Sequence, residues 1–385
     1  MHADDVVIVG GGVAGAATAM FLARDHRLRV AVLERDPTYR IASSSLSASS
    51  IRQQFSTPVN IALSRASLGL MKPWLDELGF VEAGYLYLAT CDGAEALRAA
   101  HAVQRGQGAA IELLDADALH ERWPWLDIHG LELGAWGASG EGWFDGPALH
   151  ARCVREAKAA GVRFVHADVC GFDSSGDTVH AAVDREGVRH AGRHVVIAAG
   201  AWSAPLGAAL GVELPIRAKK RDVFVVDSPA RLPRCPLVID PSGVWLRPEG
   251  PGFLTGAPPR DGDPDNAPLD AIDHGLFDDV IWPALAARIP AFEALRVRSA
   301  WAGYYEMNTF DHNALIGALP GWRNAACVCG FSGHGMQHAL AVGRGLATWL
   351  ATGAAEGGTW GEIDLSPLDP VRITRGEPLV EVNVI

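Results

Sequence analysis

The run "VVIVGGGVAGAATAMFLA", residues 6–23, limits this chain more than any other stretch. Four β-branched residues lead into glycines at positions 10, 12 and 15, and a helical pattern follows at once. Gly10 permits a tight turn, Gly12 lets a pyrophosphate approach the backbone, and Gly15 lets the helix pack close to the strand. The first helical amides, at Val13 and Ala14, then offer free N–H groups and the positive end of the helix dipole to that anion. A second strand, "RLRVAVLER", ends at Glu34, 19 residues past Gly15, where a carboxylate can accept from ribose hydroxyls. The chain is therefore expected to open with a strand–helix–strand unit that binds a nucleotide.

Which nucleotide follows from the rest of the chain. Glu34 argues against a 2′-phosphate, and so against NADP, although Arg35 beside it partly offsets that charge. An N-terminal NAD site is usually followed by a compact nucleotide domain. Here α/β features return twice more, at "HVVIAAGAWS" and at "CGFSGHGMQHALAVGRG". A cofactor that spans the domain needs such late contributions, so FAD fits better than NAD. The second glycine loop, residues 330–337, reads as the other half of one site. It would close over the flavin end through Gly330, Phe331, Ser332, Gly333, His334, Gly335, Met336 and Gln337.

The uncharged run of 18 residues from 6 to 23 also raises a signal peptide or membrane span. It is preceded by "MHADD", acidic where a signal peptide carries positive charge, and is interrupted by three glycines. A cytoplasmic protein with no transmembrane segment is expected. The chain has 385 residues, 49% hydrophobic and 20% charged, with a formal net charge of −12, which suits about two globular domains. The acidic balance argues against nucleic acid, which needs a basic footprint. The six cysteines form no CxxC pair and no ligand spacing, so no metal is expected.

Along the chain the pattern interleaves. Residues 83–90 alternate as a strand, 93–105 read as helix, and 123–143 hold four of the twelve tryptophans among strands and turns. Asp145 and Pro147 start a helix that Gly161 stops. Residues 215–256 read as strand–turn–strand and imply an antiparallel sheet. A Pro-, Asp- and Gly-rich loop occupies 257–275, then a helix near 278–289 and a strand near 295–304. The expected fold class is α/β, a Rossmann-like FAD-binding domain interleaved with an antiparallel-sheet α+β substrate domain. Residues 1–80, 145–214 and 308–365 are assigned to the first, 81–144 and 215–307 to the second, and 366–385 to a tail.

Three further stretches make the chain recognisable: "SSSLSASSIRQQFSTPVNIALS", "WPALAARIPAFEALRVRSAWAGYYEMNTFDHNALIG" and "GFSGHGMQHALAVGRG". With the first glycine loop they cover nearly the whole chain. It resembles the D-amino acid oxidase-like flavoproteins, which include glycine oxidase, monomeric sarcosine oxidase and dimethylglycine dehydrogenase. It is particularly similar to a mitochondrial branch linked to complex I assembly. The resemblance implies that Ser43 and Ser44 lie by the flavin phosphates and that Val169 meets the adenine. It implies that Ala199, Gly200 and Trp202 pack on the cofactor, with plain core packing an equal alternative for Trp202. Arg52 would lie over the flavin and bind a substrate carboxylate, a role suited to a planar, permanently charged guanidinium. Tyr304 and Tyr305 would approach the flavin, one of them serving packing, since alternation sends the pair to opposite faces. His334 can act as a base or brace the loop, and bracing is preferred.

The sequence also departs from relatives. Covalent attachment in some uses a Cys near the position of Gly303 or a His in the early serine loop. Neither is present, so noncovalent FAD is expected. Monomeric sarcosine oxidase has an oxygen-activating Lys where Leu254 stands and a carboxylate-binding Lys where Gln337 stands. The resemblance thus implies a small amino acid or amine as substrate, oxidised at its C–N bond, and oxygen or an electron carrier or quinone as acceptor. A flavoprotein with mainly an assembly role is the alternative.

Overall fold

The computed structural model describes residues 4–260, 262–353 and 359–382. The N-terminal "MHA", and the parts of the assigned segments that fall on 354–358 and 383–385, lie outside these residues. At the centre of one eight-stranded sheet is the strand Asp4–Val9. It runs parallel to Val30–Glu34 on one side and Arg189–Ile197 on the other. Arg163–His166 and Ala325–Cys329 extend the sheet outward, again parallel. Strands buried on both faces read as continuous apolar runs, as "VVIV", "VAVL" and "AACVC" do. Cys327 and Cys329 are buried in the last of these. Leu315–Ala318 closes one edge antiparallel, and Val169–Ser175 with Thr178–Asp184 forms an antiparallel ribbon on Arg189–Ile197.

Two helices from opposite ends of the chain share one core against this sheet. Val13–His26 buries Ala16, Ala17, Ala19, Met20, Phe21 and Leu22, with Leu340, Val342 and Leu346 of Gly335–Ala351 in the same cluster. Their approach is governed by missing side chains. A Cβ on Gly15 would lie 2.1 Å from the Gly10 carbonyl oxygen, and one on Gly343 would lie 2.8 Å from the Thr18 nitrogen. Both contacts are with backbone, which cannot give way. A third helix, Gly146–Ala159, starts where Asp145 accepts from the Ala148 N–H at 2.8 Å.

The second eight-stranded sheet runs Arg296–Asn308, Ile216–Asp227, Gly252–Gly256, Trp245–Glu249, Leu237–Ile239, Tyr85–Ala89, Leu133–Gly137, Ile111–Asp115. It is antiparallel at every pairing except Leu237–Ile239 with Tyr85–Ala89. Its longest pairing puts Ile216 opposite Asn308 and Asp227 opposite Arg296. The helix expected near 278–289 is α-helical only over Trp282–Arg288, after a π-helical turn at Phe277–Ile281. Pro283, which has no N–H to donate, sits at that change of ladder. The α/β class with an interleaved antiparallel sheet is what the sequence implied. Among the described residues no helix is long and apolar enough to cross a membrane.

The segment after residue 365 is built into the fold by polar contacts. Arg372 pairs with Asp311 at 2.7 Å, both side chains buried, and Asp311 also accepts from the Asn313 and Leu379 N–H groups. Glu381 accepts from the Ser56 and Thr57 N–H groups at 2.8 and 3.1 Å. Removing one partner of a buried ion pair leaves the other charge desolvated and uncompensated. Asp311→Ala is expected to destabilise the protein by about 3–5 kcal/mol, read as a lowered urea midpoint at unchanged m-value.

Candidate active site

A cavity of about 420 Å³ runs between the two sheets' ends, lined by both glycine loops. Its first wall is the N-terminal turn. Gly10, Gly12, Val13 and Ala14 border it, while Gly15 does not and serves the strand–helix contact instead. Glu34 borders it too, with Oε2 accepting from the Gly11 N–H at 2.8 Å and Oε1 from the Asp36 N–H at 2.9 Å. Two residues without a sequence signal brace this turn. His150 Nε2–H donates to the Gly11 carbonyl at 2.8 Å, and the Tyr39 ring meets the His150 ring edge-on at 4.5 Å. Burial pushes the His150 pKa down, which keeps the imidazole neutral.

The serine loop folds onto the same turn. Ser44 Oγ accepts from the Val13 N–H at 2.9 Å, and Ser43 Oγ–H donates to the Tyr304 carbonyl at 2.6 Å. This short loop is helical at Ser43–Leu46. Val169 borders the cavity on the Glu34 side, and Ala199, Gly200 and Trp202 border it between there and the second glycine loop. The Arg35 guanidinium lies 3.8 Å over the Trp202 ring, so this tryptophan is a cavity wall and not plain core.

At the other end stand Gly303, Tyr304, Tyr305, Trp245, Gly333 and Gln337. Both tyrosines border the cavity, contrary to the expected division. Tyr305 does so with its ring against Gly333, and Tyr304 with its ring edge-on to Trp202 at 5.8 Å. Gly333 has φ +97°, and a Cβ there would lie 2.5 Å from the Tyr305 ring. Phe331, Gly335 and Met336 also border the cavity. Gly330 and Ser332 do not, but they shape the loop. The Gly330 N–H donates to Glu306 Oε2 at 2.8 Å, and Ser332 Oγ accepts from the Asn308 N–H at 2.9 Å.

Two of the four residues considered for chemistry, Arg52 and His334, are not among those that line the cavity. Arg52 does not border it. Its side chain donates to Tyr87 Oη and the Gln54 carbonyl and stacks over the Phe55 ring at 4.4 Å. Its backbone N–H donates to Gln337 Oε1 at 2.8 Å, so Arg52 positions Gln337 rather than reaching the cavity itself. His334 is buried between Phe55 and His338, with its Nε2 lacking a hydrogen-bond partner. Burial, with the Arg52 charge nearby, pushes its pKa down to about 3, so it stays neutral and braces the loop. Tyr305 and Gln337 border the cavity.

Sequence reasoning missed Glu306 and Arg221. Glu306 borders the cavity and burial pushes its pKa up to about 7, despite the hydrogen bond from Gly330. Arg221 borders it from the Ile216–Asp227 strand and pairs with Asp263 at 2.9 Å. Strand periodicity alone flags neither, because Glu306 follows Tyr305 directly and the place of Arg221 opposite Gly303 appears only in the pairing register.

The cavity suits an extended dinucleotide. One end pairs a carboxylate with a cation–π wall, the middle is a glycine-lined helix N-terminus, and the other end is aromatic. FAD matches that sequence of surfaces, and Cys170 is the sole cysteine among the lining residues, beside Val169.

The model of the family described as DAO, FAD dependent oxidoreductase, matches residues 5–349. The chain is 37% identical to FAD-dependent oxidoreductase domain-containing protein 1 of Xenopus laevis over 99% of this chain and 85% of that protein. Its fold is similar to L-proline dehydrogenase from P. horikoshii, with TM-score 0.87 and 25% identity over 98% of this chain and 99% of the other. It is also similar to glycine oxidase from Geobacillus kaustophilus, with TM-score 0.80 and 26% identity over 96% and 98%.

Two outcomes follow. Gly333→Ala forces a side chain into a left-handed backbone and into Tyr305, so the purified variant is expected to carry less than half the wild-type flavin per chain by absorbance. Glu306 has a folded pKa above its unfolded one, so its contribution is full below about pH 4.5 and is lost as pH rises through about 7. Glu306→Gln is expected to flatten the fall in urea midpoint between pH 5 and pH 8; an unchanged fall would refute the assignment.

Proposed function

The chain belongs to the DAO family of FAD-dependent oxidoreductases, and from that premise we propose that it oxidises the C–N bond of an amino acid or N-methyl amine. The observation that carries this reading is the aromatic end of the cavity, where Tyr304, Tyr305, Trp245 and Gln337 enclose space next to the second glycine loop. Gly10, Gly12, Val13, Ala14 and Ser44 would hold the pyrophosphate, Glu34 the ribose, and Val169 with Trp202 the adenine. Residues 333–337 and Tyr305 would face the flavin. Bound FAD supplies a two-electron hydride acceptor, which the protein's own side chains lack.

The substrate would lose a hydride from carbon while the nitrogen lone pair forms the C=N bond and a nitrogen proton passes to solvent. Water then hydrolyses the imine to a carbonyl compound and an amine. The protein's part is orientation and exclusion of water. No strong base is needed when the amine binds neutral, and His334, its pKa pushed down to about 3 and away from the lining, is not one. Noncovalent attachment is supported by the lining, which among the described residues holds no histidine and has its cysteine beside Val169. The acceptor would be oxygen or a carrier or quinone. Leu254 is buried and apolar, which favours a carrier.

A second reading, a flavoprotein used mainly in assembly, draws support from the neutral Gln337 and from Arg52 being committed elsewhere. Anaerobic mixing of the yellow protein with amino acids and N-methyl amino acids separates the two. Bleaching of the flavin band by at least one compound is expected; none by any would remove the amine-oxidation reading.

A further inference from the structure

Among the described residues, three cations border the cavity: Arg35, Arg185 and Arg221. Arg35 is stacked on Trp202 and Arg185 is paired with Asp168 at 2.5 Å, both at the Val169 end. Arg221 alone of the three stands with Tyr305 and Gly303. It stands opposite Gly303 in the strand register, and its guanidinium lies 5.3 Å from the Tyr305 ring centre.

The donors of Arg221 are unequally used. A guanidinium has five N–H groups in a fixed plane. Nη1 and Nη2 donate end-on to the two oxygens of Asp263, at 2.9 and 3.0 Å, and Nη1 also donates to the Lys220 carbonyl at 2.8 Å. Nε is buried and has no acceptor. A buried donor without a partner carries a desolvation cost that a ligand oxygen would remove. The edge of the guanidinium that includes Nε can receive a second carboxylate side-on, the geometry in which arginine recognises carboxylates.

Asp263 is placed to compete for that charge. Its segment is laid along the same strand. The Asn266 N–H donates to the Ala218 carbonyl at 2.9 Å, Lys219 pairs with Asp265 at 2.8 Å, and Tyr304 Oη–H donates to the Ala267 carbonyl at 2.8 Å. The carboxylate at Asp263 is one-third exposed, so it is held but not sealed in.

We propose that Arg221 is the anion receptor of the substrate end of the cavity, and that Asp263 is a built-in counter-ion that weakens its hold on carboxylates. This rests on the reading of the cavity as a joint cofactor and substrate site, and it moves the carboxylate contact from Arg52 to a different strand. A compound with a carboxylate beside its amine is selected over the corresponding amine without one. The counter-ion keeps the site from retaining the anionic product.

The probe is propionate, titrated into the FAD-loaded protein and followed by the flavin absorbance shift, with propionamide as the neutral control. Arg221→Gln is expected to weaken propionate by about ten- to a hundredfold, the scale of a charge-assisted pair, and to leave propionamide unchanged. Arg221→Lys retains part of the affinity. Asp263→Asn tightens propionate a few-fold, an effect that a merely structural role for the pair would not produce. Equal propionate affinity in Arg221→Gln and wild type, at equal flavin content, overturns the proposal, as does wild-type binding of propionamide as tightly as propionate. If propionate binds through Arg221 but no amine ever bleaches the flavin, the receptor stands and the C–N oxidation reading falls.

Discussion

Everything at the cavity depends on how closely two helices and one strand approach each other. The strand end at Gly10 meets the helix Val13–His26 at Gly15, and that helix meets Gly335–Ala351 at Gly343. Each contact is backbone to would-be side chain, at separations that no Cβ tolerates. The result is that two helices more than three hundred residues apart in sequence both start at the same cavity. Their N-termini are the polar, glycine-lined parts of an otherwise mixed wall. A looser packing at either glycine would move one loop relative to the other and spoil a site that must hold one long molecule at both ends.

The nucleotide half of this arrangement was legible in the chain because its chemistry is local. A strand, a turn, a helix start and Glu34 lie within about thirty residues, and each position has a stated physical role. The flavin half was legible only through resemblance to whole stretches, which does not fix where each side chain points. Arg52 and His334 are in the right loops but face inward, because Phe55, Tyr87 and His338 offer them aromatic surroundings. Direction within a loop is set by the packing beneath it, which no local pattern encodes. Arg221 and Glu306 were missed for the opposite reason: they sit in long strands whose pattern shows periodicity but not which face meets a cavity. The pairing register, Arg221 opposite Gly303, is a tertiary fact.

Burial tunes the titrating groups around the cavity in one consistent direction, toward the uncharged form. His150 and His334 are held neutral, the Tyr305 pKa is raised, and the Glu306 carboxyl is brought to about 7. A site that favours neutral side chains gives weight to each remaining full charge. That is why the pairing state of Arg221 matters more than its mere presence. It also explains why Gln337, fixed by the Arg52 N–H, can be a useful polar contact without carrying charge.

The order of strands in the first sheet has a consequence for how the protein is made. Asp4–Val9 is flanked by a strand that ends at residue 34 and by one that begins at residue 189, and the next strand outward begins at residue 325. A ribosome releasing the chain from its N-terminus would expose the first glycine turn long before the second loop exists. The hold on the segment at residues 56–57 comes later still, from Glu381. The complete cavity therefore needs both the first glycine turn and the second glycine loop, more than three hundred residues later. Until then the apolar face of Val13–His26 lacks its Gly335–Ala351 partner, which makes the nascent protein a natural client for chaperones.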